Sequence, residues 1–316
     1  MMFDIARRLE ANGVVGLNRR NAEFMLPYND RRNYPLVDDK LLTKRLAEKN
    51  GVAVPKLYAV VEFPGQVRDL YDQLAAYDDF VIKPARGSGG DGIAVIVGRT
   101  HEFLRTAGGS LMSRADTEFH VNNLLSGTFS LGGLPDKALV EYRVKFDPVF
   151  EKIAYQGVPD VRIIVFMGVP VMAMVRLPTR QSGGKANLHQ GAIGAGIDIA
   201  TGRTLTAVWK SRIVTEHPDT GNPVMGLQIP HWDSLLMLGA RSLEMTGLGY
   251  QGIDIVLDRD LGPLILELNA RPGLAIQIAN GAGIGKRLEK VRAEAASIAD
   301  PAERVAFAKA NFAARP

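Results

Sequence analysis

The pattern of apolar and polar positions predicts several helices and strands in the first third of the chain. The stretch 38-DDKLLTKRLAEKNGVAVP-55 places leucines at helical spacing after an aspartate N-cap, and Gly51 predicts the end of that helix. The apolar, β-branched run 57-LYAVV-61 predicts a strand, and a second helix is predicted at about 66–77. This part of the chain therefore alternates helices with strands.

The rest of the chain contains more strands than helices. Strands are predicted on both sides of a glycine-rich loop at 87–92 and at 138–144, 160–177 (as a hairpin turning at Met167–Pro170), 251–258 and 263–269. Helices are predicted at 231–246 and 286–313, and no element is predicted in the polar stretch 100–137 or the glycine-studded segment 181–198. Hairpins mixed with helices predict an α+β fold with antiparallel sheets rather than repeated βαβ units.

The glycine-rich loop matches the pattern G-x-G-x-x-G at 87-GSGGDG-92. A dinucleotide-binding motif needs a helix after the glycines, whereas Ile93–Val97 is a short β-branched run that predicts a strand. The loop therefore joins two strands. A glycine-rich hairpin with a lysine, Lys83, on its incoming strand can cover the phosphates of a nucleotide triphosphate. A flexible hairpin that binds no ligand is the alternative.

Composition excludes several classes of protein. The chain has 316 residues, 46% of them hydrophobic and none of them cysteine, so disulfides, thiolate metal sites and cysteine nucleophiles are excluded. The absence of cysteine and of any run of about 18 apolar residues predicts a cytoplasmic protein without a membrane segment. With 38 basic against 34 acidic residues, no direct nucleic-acid binding is expected, although a net charge of +4 suits anionic small substrates.

Three oxygen-bearing side chains lie on two consecutive predicted strands. Asp254 is on the first, and Glu267 and Asn269 are two residues apart on the second, so both point to one face of the sheet. Oxygen ligands without histidine or cysteine suit Mg²⁺. The alternative is that these residues make turn contacts at strand ends.

Seven ordered motifs resemble those of the ATP-grasp carboxylate–amine ligases. They are Asp39-Lys40, 82-IKPARGSGGDGI-93, 140-VEYRV-144, 160-DVR-162, 185-KANLHQGA-192, Asp254 and 267-ELNARPGL-274. The resemblance covers about residues 38–280 and is strongest to the α-L-glutamate ligase-like proteins related to the ribosomal-protein glutamate ligases. It implies an ATP-grasp fold, in which two α/β lobes with antiparallel sheets grip ATP between them.

The resemblance also implies roles for individual residues. The residues implied to bind ATP are Lys40, Lys83, Gly87, Ser88, Gly89, Gly90, Glu141, Tyr142 and Asp160. The residues implied in catalysis are Arg176, Lys185 and Asn187, and those implied as metal ligands are Asp254, Glu267 and Asn269. Two Mg²⁺ ions are expected, with Mn²⁺ as a substitute.

The expected organisation is a short N-terminal arm (residues 1–35), an ATP-grasp domain (36–285, with lobes at about 36–139 and 140–285) and a helical tail (286–316). Only 39 residues precede Lys40, so part of the acceptor site is expected to be missing or supplied differently. Arg19, Arg20, Arg31 and Arg32 of the arm are interleaved with aromatic residues. Three interpretations stay open for the arm: packing on the body, binding an acidic acceptor, or docking a second subunit.

The expected activity is ATP-dependent formation of an amide or peptide bond through an acyl phosphate, joining glutamate or a similar amino acid to an amine acceptor. The substrate is expected to be a small amino acid or a peptide, and homo-oligomers or an accessory subunit are expected partners. A non-catalytic ATP-binding subunit is the alternative. A protein kinase is disfavoured because H-R-D and D-F-G are absent, and a serine hydrolase because G-x-S-x-G is absent.

Overall fold

The computed structural model describes residues 2–87 and 89–314, and these fold into two compact units. The smaller unit comprises Asp39–Arg45 and Val54–Val144. The larger unit comprises Met1–Asp38, Leu46–Ala53 and Lys145–Pro316. Each unit contains one antiparallel sheet and is described by itself below.

The described elements are as follows. The strands are β1 (Leu57–Val61), β2 (Phe80–Pro84), β3 (Ala94–Thr100), β4 (Phe103–Thr106), β5 (Leu111–Met112), β6 (Ala138–Glu141), β7 (Asp160–Phe166), β8 (Val169–Leu177), β9 (Ile193–Ile197), β10 (Thr204–Trp209), β11 (Arg212–Val214), β12 (Tyr250–Asp258) and β13 (Gly262–Asn269). The helices are α1 (Met2–Ala11), α2 (Leu17–Arg19, continued by the π-helix Arg20–Met25), α3 (Pro35–Asp38), α4 (Lys40–Lys49), α5 (Val67–Gln73), α6 (Arg114–Leu125), α7 (Trp232–Ala240), α8 (Ser242–Thr246), α9 (Ile276–Ala279), α10 (Gly285–Glu294) and α11 (Pro301–Asn311). Within the described residues, no helix combines the length and the apolar character needed to cross a membrane.

The sheet of the smaller unit has the strand order β1-β6-β2-β3-β4-β5. Because side chains alternate along a strand, Phe80 and Ile82 of β2 share one face, and both are fully buried in the main core of this unit. Helices α5 and α6 contribute Leu70 and Val121 to the same core. This face supplies the apolar burial that stabilises the smaller unit.

The opposite face of this sheet carries a smaller core and a buried lysine. Leu41 of α4 packs there with Leu139 of β6 and Ala85, which follows β2. Lys83 alternates with Ile82, and it is paired in register with Leu139 on the neighbouring strand. The sheet geometry thus places the ammonium group of Lys83 on the face that α4 covers.

The sheet of the larger unit has the strand order β11-β10-β9-β8-β7-β12-β13. Its central strands β7, β8 and β12 are buried along almost their whole length. Helices α7, α9, α10 and α11 contact these strands or their neighbours. Burial on both faces explains why these strands are continuous apolar runs, and why the charged residues within them are conspicuous.

The N-terminal arm packs onto the larger unit as part of its core. Phe24 is fully buried, and its ring meets the ring of Phe166 edge-on at a centroid distance of 5.7 Å. Tyr28 contacts the same ring at 4.8 Å. These aromatic contacts give the arm a fixed position on β7.

Several predicted elements are present with different bounds, and several were missed. The strand predicted at 138–144 ends at Glu141, and the predicted helical tail is broken between α10 and α11. The prediction of no element at 100–137 was wrong, because β4, β5 and α6 lie there. Ser113 caps α6 by accepting from the Asp116 backbone N–H, and this S-x-x-D pattern was the available signal.

The strand β9 was missed because its sequence, IGAGI, has little strand propensity. Small residues are needed there because the backbone after α9 approaches closely. A Cβ on Gly196 would lie 2.7 Å from the Ala279 carbonyl oxygen and 2.8 Å from Asn280 Cα. The composition of β9 therefore reflects close packing rather than a loop.

Replacing Phe24 by alanine should lower the free energy of unfolding by about 3–5 kcal/mol, because the substitution leaves a cavity in the core. Urea unfolding followed through Trp209 and Trp232, both in the larger unit, measures the change. Leu17→Ala is the matched control in the same arm, because Leu17 is 60% exposed and should lose less than about 1 kcal/mol. Equal losses for both variants would show that the arm is not docked.

Candidate active site

The glycine-rich loop joins β2 and β3, which pair as an antiparallel hairpin. Ser88 lies outside the described residues. Gly89, Gly90 and Gly92 have φ values of +66°, +80° and +72°, which residues other than glycine rarely adopt. The loop conformation thus requires glycine at these three positions.

The base of the glycine-rich loop is held by polar contacts within the smaller unit. Asp136 Oδ2 accepts hydrogen bonds from the Arg86 backbone N–H at 2.9 Å and from Ser130 Oγ at 2.6 Å. Lys40 Nζ donates to the Gly87 carbonyl at 2.6 Å. The sequence indicated Lys40 and Gly87 but not Asp136, whose contact to the loop spans 50 residues.

The smaller unit also contains a group of three buried charges, here called the lysine cluster: Lys44, Lys83 and Glu141. Lys83 forms a short ion pair with Glu141 Oε1, and Lys44 Nζ lies 2.9 Å from Glu141 Oε2. Burial opposes ionisation of Glu141, but the charges of Lys83 and Lys44 hold its pKa below the usual value. The next residue, Tyr142, donates its backbone N–H to the Lys56 carbonyl. Lys44 was not predicted.

In the larger unit, the three predicted metal ligands lie together, and we call them the acidic cluster: Asp254, Glu267 and Asn269. Asp254 is the register partner of Glu267 across β12 and β13, and Asn269 is two residues further along. Asn269 Nδ2 lies 3.5 Å from Asp254 Oδ2. Among the described residues, no hydrogen bond or ion pair engages the carboxylate of Glu267.

Two arginines on neighbouring strands hold Asp254. Arg162, its register partner on β7, donates from Nε and Nη2 to the two carboxylate oxygens at 2.7 and 2.6 Å. Arg176 donates from Nη2 to Asp254 Oδ2 at 2.8 Å, and it makes two further bonds of 2.5 Å to Asp160. Asp160 and Arg176 are register partners on β7 and β8. The result is a buried network of two arginines and two aspartates.

The network separates the acidities of its two carboxyl groups. Burial opposes the ionisation of Asp254, but the guanidinium groups of Arg162 and Arg176 lower its pKa to about 2. Burial, together with the neighbouring charge of Asp254, raises the pKa of Asp160 to about 6 despite its contact with Arg176. Asp254 is therefore ionised at neutral pH, and its carboxylate is bound by the guanidinium groups of Arg162 and Arg176.

The acidic cluster fits a hard cation that is completed by other oxygen ligands. Within the described residues, no group of three or more histidine, cysteine, aspartate or glutamate side chains could hold a metal. The cluster provides two carboxylates and one amide oxygen, and Mg²⁺ commonly uses one or two carboxylates plus phosphate oxygens and water. Its composition suits Mg²⁺ bound together with a phosphorylated ligand.

The predicted catalytic residues Lys185 and Asn187 lie in the segment that leads to β9. Asn187 Oδ1 accepts from the His189 backbone N–H at 3.0 Å and thereby caps a short turn. The segment is fixed at both ends within the larger unit, since Thr179 Oγ1 donates to the Gly191 carbonyl and His217 Nε2 lies 3.0 Å from the Pro178 carbonyl. Lys185 and Asn187 are half-buried on this anchored segment.

The N-terminal arm holds the chain immediately after the acidic cluster. Asn29 Nδ2 donates to the carbonyls of Tyr250 and Ala270, and its Oδ1 accepts from the Tyr250 backbone N–H. Arg20, which is buried, donates from Nη1 to the Pro272 carbonyl at 2.7 Å. The arm thus bridges the start of β12 and the residues that follow β13.

The arginines of the arm mostly pair within the chain. Arg19 contacts Glu23 and Glu289, and Arg32 pairs with Asp30 on the surface. Together with the contact of Arg20, these pairings favour the packing interpretation of the arm. Binding of an acceptor or a second subunit by the arm remains a prediction.

Comparison with known proteins gives one family and several similar structures. A family model described as sugar-transfer associated ATP-grasp matches residues 19–293. The chain is similar to the ATP-grasp ligase PsnB complexed with a minimal precursor (18% identity, TM-score 0.46, 84% of this chain and 63% of that chain). It is also similar to biotin carboxylase from Campylobacter jejuni (15% identity, TM-score 0.48, 81% of this chain and 46% of that chain). A third similar structure is D-alanyl-alanine synthetase A from Vibrio cholerae (11% identity, TM-score 0.46, 83% of this chain and 65% of that chain). No curated protein sequence matches.

The chain spans less than two thirds of the length of each of these three structures.

Replacing Arg176 by methionine should destabilise the larger unit by about 3–5 kcal/mol at pH 8, because the buried Asp160 loses the cation that favours its ionisation and must remain charged without a partner or take up a proton. Adding Asp160→Asn should recover much of this loss, and lowering the pH to 5 should shrink the loss because Asp160 is then protonated. Urea unfolding measures all three effects. Arg259→Met is the control, since its exposed pair with Glu151 should contribute less than about 1 kcal/mol. A pH-independent loss would contradict the pairing.

Replacing Asn29 by alanine should speed amide hydrogen exchange of Tyr250 by about tenfold or more, because the amide loses its hydrogen-bond acceptor. Exchange measured by mass spectrometry on peptides covering 248–272 reports the change. Asn12→Ala is the matched control, because the Asn12 side chain donates to the nearby Arg8 carbonyl on the exposed surface and not to the backbone near β12. Unchanged exchange in the Asn29 variant would show that the arm does not support β12.

Proposed function

Because the chain belongs to the sugar-transfer associated ATP-grasp family, we propose that it is an ATP-dependent carboxylate–amine ligase that releases ADP and phosphate. Its two antiparallel sheets with their helices form an ATP-grasp fold. The observation that carries the proposal is the acidic cluster of the larger unit, bordered by Arg162 and Arg176. Such a set of groups binds a metal–phosphate and stabilises anions, and it includes no nucleophile–base pair.

The reaction proceeds in two steps. A substrate carboxylate attacks the γ-phosphorus of ATP, so a C–O–P linkage forms and ADP leaves. The amine then attacks the acyl carbon, phosphate leaves, and the amine nitrogen loses a proton as the amide forms. Because no covalent enzyme intermediate is needed, catalysis consists of positioning and charge stabilisation.

The smaller unit supplies the cations for the phosphates of ATP. Lys83 and Lys40 bind phosphate oxygens, and the backbone N–H groups of the glycine-rich loop add dipoles of the same sign. Glu141 and Tyr142 lie at the end of β6, where the resemblance places the adenine contact.

The larger unit supplies the metal site and the groups that meet the acyl phosphate. Asp254, Glu267 and Asn269 would hold Mg²⁺, which supplies charge neutralisation for phosphate oxygens. Arg176 stabilises the acyl phosphate and the tetrahedral intermediate, while Lys185 and Asn187 contact the γ-phosphate and Asp160 lies near the ribose. Two Mg²⁺ ions are proposed, with Mn²⁺ as a substitute.

The proposal also includes the identity of the carboxylate and amine substrates. We propose glutamate or a similar amino acid joined to an amine acceptor or peptide, as the resemblance to glutamate ligase-like proteins suggests. Because the family is described as sugar-transfer associated, we propose amino sugars as a second class of acceptor to test. A cytoplasmic location and self-association also belong to the proposal.

An ADP-release assay over a panel of amino acids, peptides, polyamines and amino sugars should identify at least one carboxylate–amine pair that stimulates turnover. Lys83→Ala should weaken ATP binding, and Asp254→Asn or Glu267→Gln should lower turnover by at least about a hundredfold without unfolding the chain. Lys56→Ala and Asp260→Asn are the matched controls, because both residues are exposed.

Two results would contradict this proposal in different ways. ATP binding without ADP release under any condition would favour the non-catalytic ATP-binding subunit. Wild-type turnover in the Asp254→Asn/Glu267→Gln double variant would place the metal site elsewhere.

A further inference from the structure

The lysine cluster contains one more cation than its carboxylate needs. The side chains of Lys44, Lys83 and Glu141 are 6%, 5% and 3% exposed, so all three charges are buried. A single lysine paired with Glu141 would already be neutral. Burying a second ammonium beside it carries a desolvation cost that a neutral pair would avoid.

The two lysines are held differently. Lys44 Nζ donates a short hydrogen bond to the Pro55 carbonyl in addition to its ion pair with Glu141. Among the described residues, Glu141 is the charged partner of Lys83. Lys44 is therefore fixed by the backbone, whereas Lys83 can move to another anion without breaking a backbone contact.

We propose that Lys44 is a positioning residue of the nucleotide site, which keeps Glu141 paired when Lys83 leaves it to bind a phosphate of ATP. This inference rests on the proposed function, because it needs Lys83 as a phosphate ligand. The excess positive charge of the cluster is then matched by the bound phosphate. Lys44 acts through Glu141 and does not itself contact the nucleotide.

A specific linkage to pH follows from this arrangement. The ionisable groups that act on Glu141 are Lys83 from β2 and Lys44 from α4, while β1 and β2 place Leu57 and Val81 opposite it. Without Lys44, binding of Lys83 to phosphate would leave a buried carboxylate with no cation. Such a carboxylate takes up a proton, so the affinity for ATP would fall as the pH rises.

The test measures ATP binding by calorimetry at pH 7 and pH 9, in two buffers with different ionisation enthalpies. Lys44→Met should weaken ATP binding relative to wild type by about tenfold or more at pH 9 and by less at pH 7. The variant should also take up close to one more proton per ATP than wild type does. Lys44→Met/Glu141→Gln should remove both the extra proton uptake and the added pH dependence.

Controls separate this role from general damage to the fold. Arg45→Met removes a cation from the exposed face of the same helix and should leave ATP affinity and proton uptake unchanged. Lys44→Gln keeps a hydrogen-bond donor for the Pro55 carbonyl, and it replaces Lys44→Met in the binding measurements if Lys44→Met does not fold. Thermal unfolding without nucleotide checks each variant.

Three results would overturn the inference. A Lys44→Met variant with wild-type affinity and pH dependence would show that Glu141 does not need Lys44. An equal loss at both pH values without proton uptake would assign Lys44 a packing role or a direct phosphate contact. If wild type binds ATP and Lys83→Ala binds it equally well, Lys83 is not the phosphate ligand. Failure of wild type to bind ATP would instead overturn the proposed function itself.

Discussion

An ionised side chain that is removed from water must be paired, and this requirement governs the charged residues of both units. In the larger unit, Asp254 is 2% exposed and receives three N–H groups from Arg162 and Arg176. In the smaller unit the signs are reversed, since one carboxylate, Glu141, lies between two lysines. The network of two arginines and two aspartates is balanced in charge, so the addition of Glu267 gives this group of residues one surplus negative charge. The lysine cluster, in contrast, has one surplus positive charge.

The antiparallel register is what brings these partners together. Arg162 and Glu267 lie on opposite sides of Asp254, each as its direct neighbour on the adjoining strand. Because side chains alternate in a strand, a slip of one residue would move Arg162 to the other face and leave Asp254 buried without it. The charge network therefore specifies the same register as the apolar core, and the two requirements support each other.

Sequence patterns indicated those parts of the molecule that depend on local periodicity. The strands β1, β2, β7, β8, β12 and β13 are apolar runs, and the i, i+2 spacing of Glu267 and Asn269 placed them on one face. Partners that depend on register or on distant loops could not be found this way. Arg162 and Asp254 are 92 residues apart, and Asp136 reaches the glycine-rich loop across 50. The strand β9 was missed for another reason, because packing against the end of α9 outweighed the low strand propensity of its glycines.

The N-terminal arm supplies hydrogen-bond donors to the backbone that follows the acidic cluster. When β13 ends at Asn269, the following carbonyls of Ala270 and Pro272 leave the sheet, and buried carbonyl groups require hydrogen-bond donors. Asn29 and Arg20 supply those donors. Arg20 is buried and engaged with the backbone in this way, whereas Arg31 and Arg32 of the same arm are exposed. The arm thus stabilises the backbone that leaves β13 next to the acidic cluster.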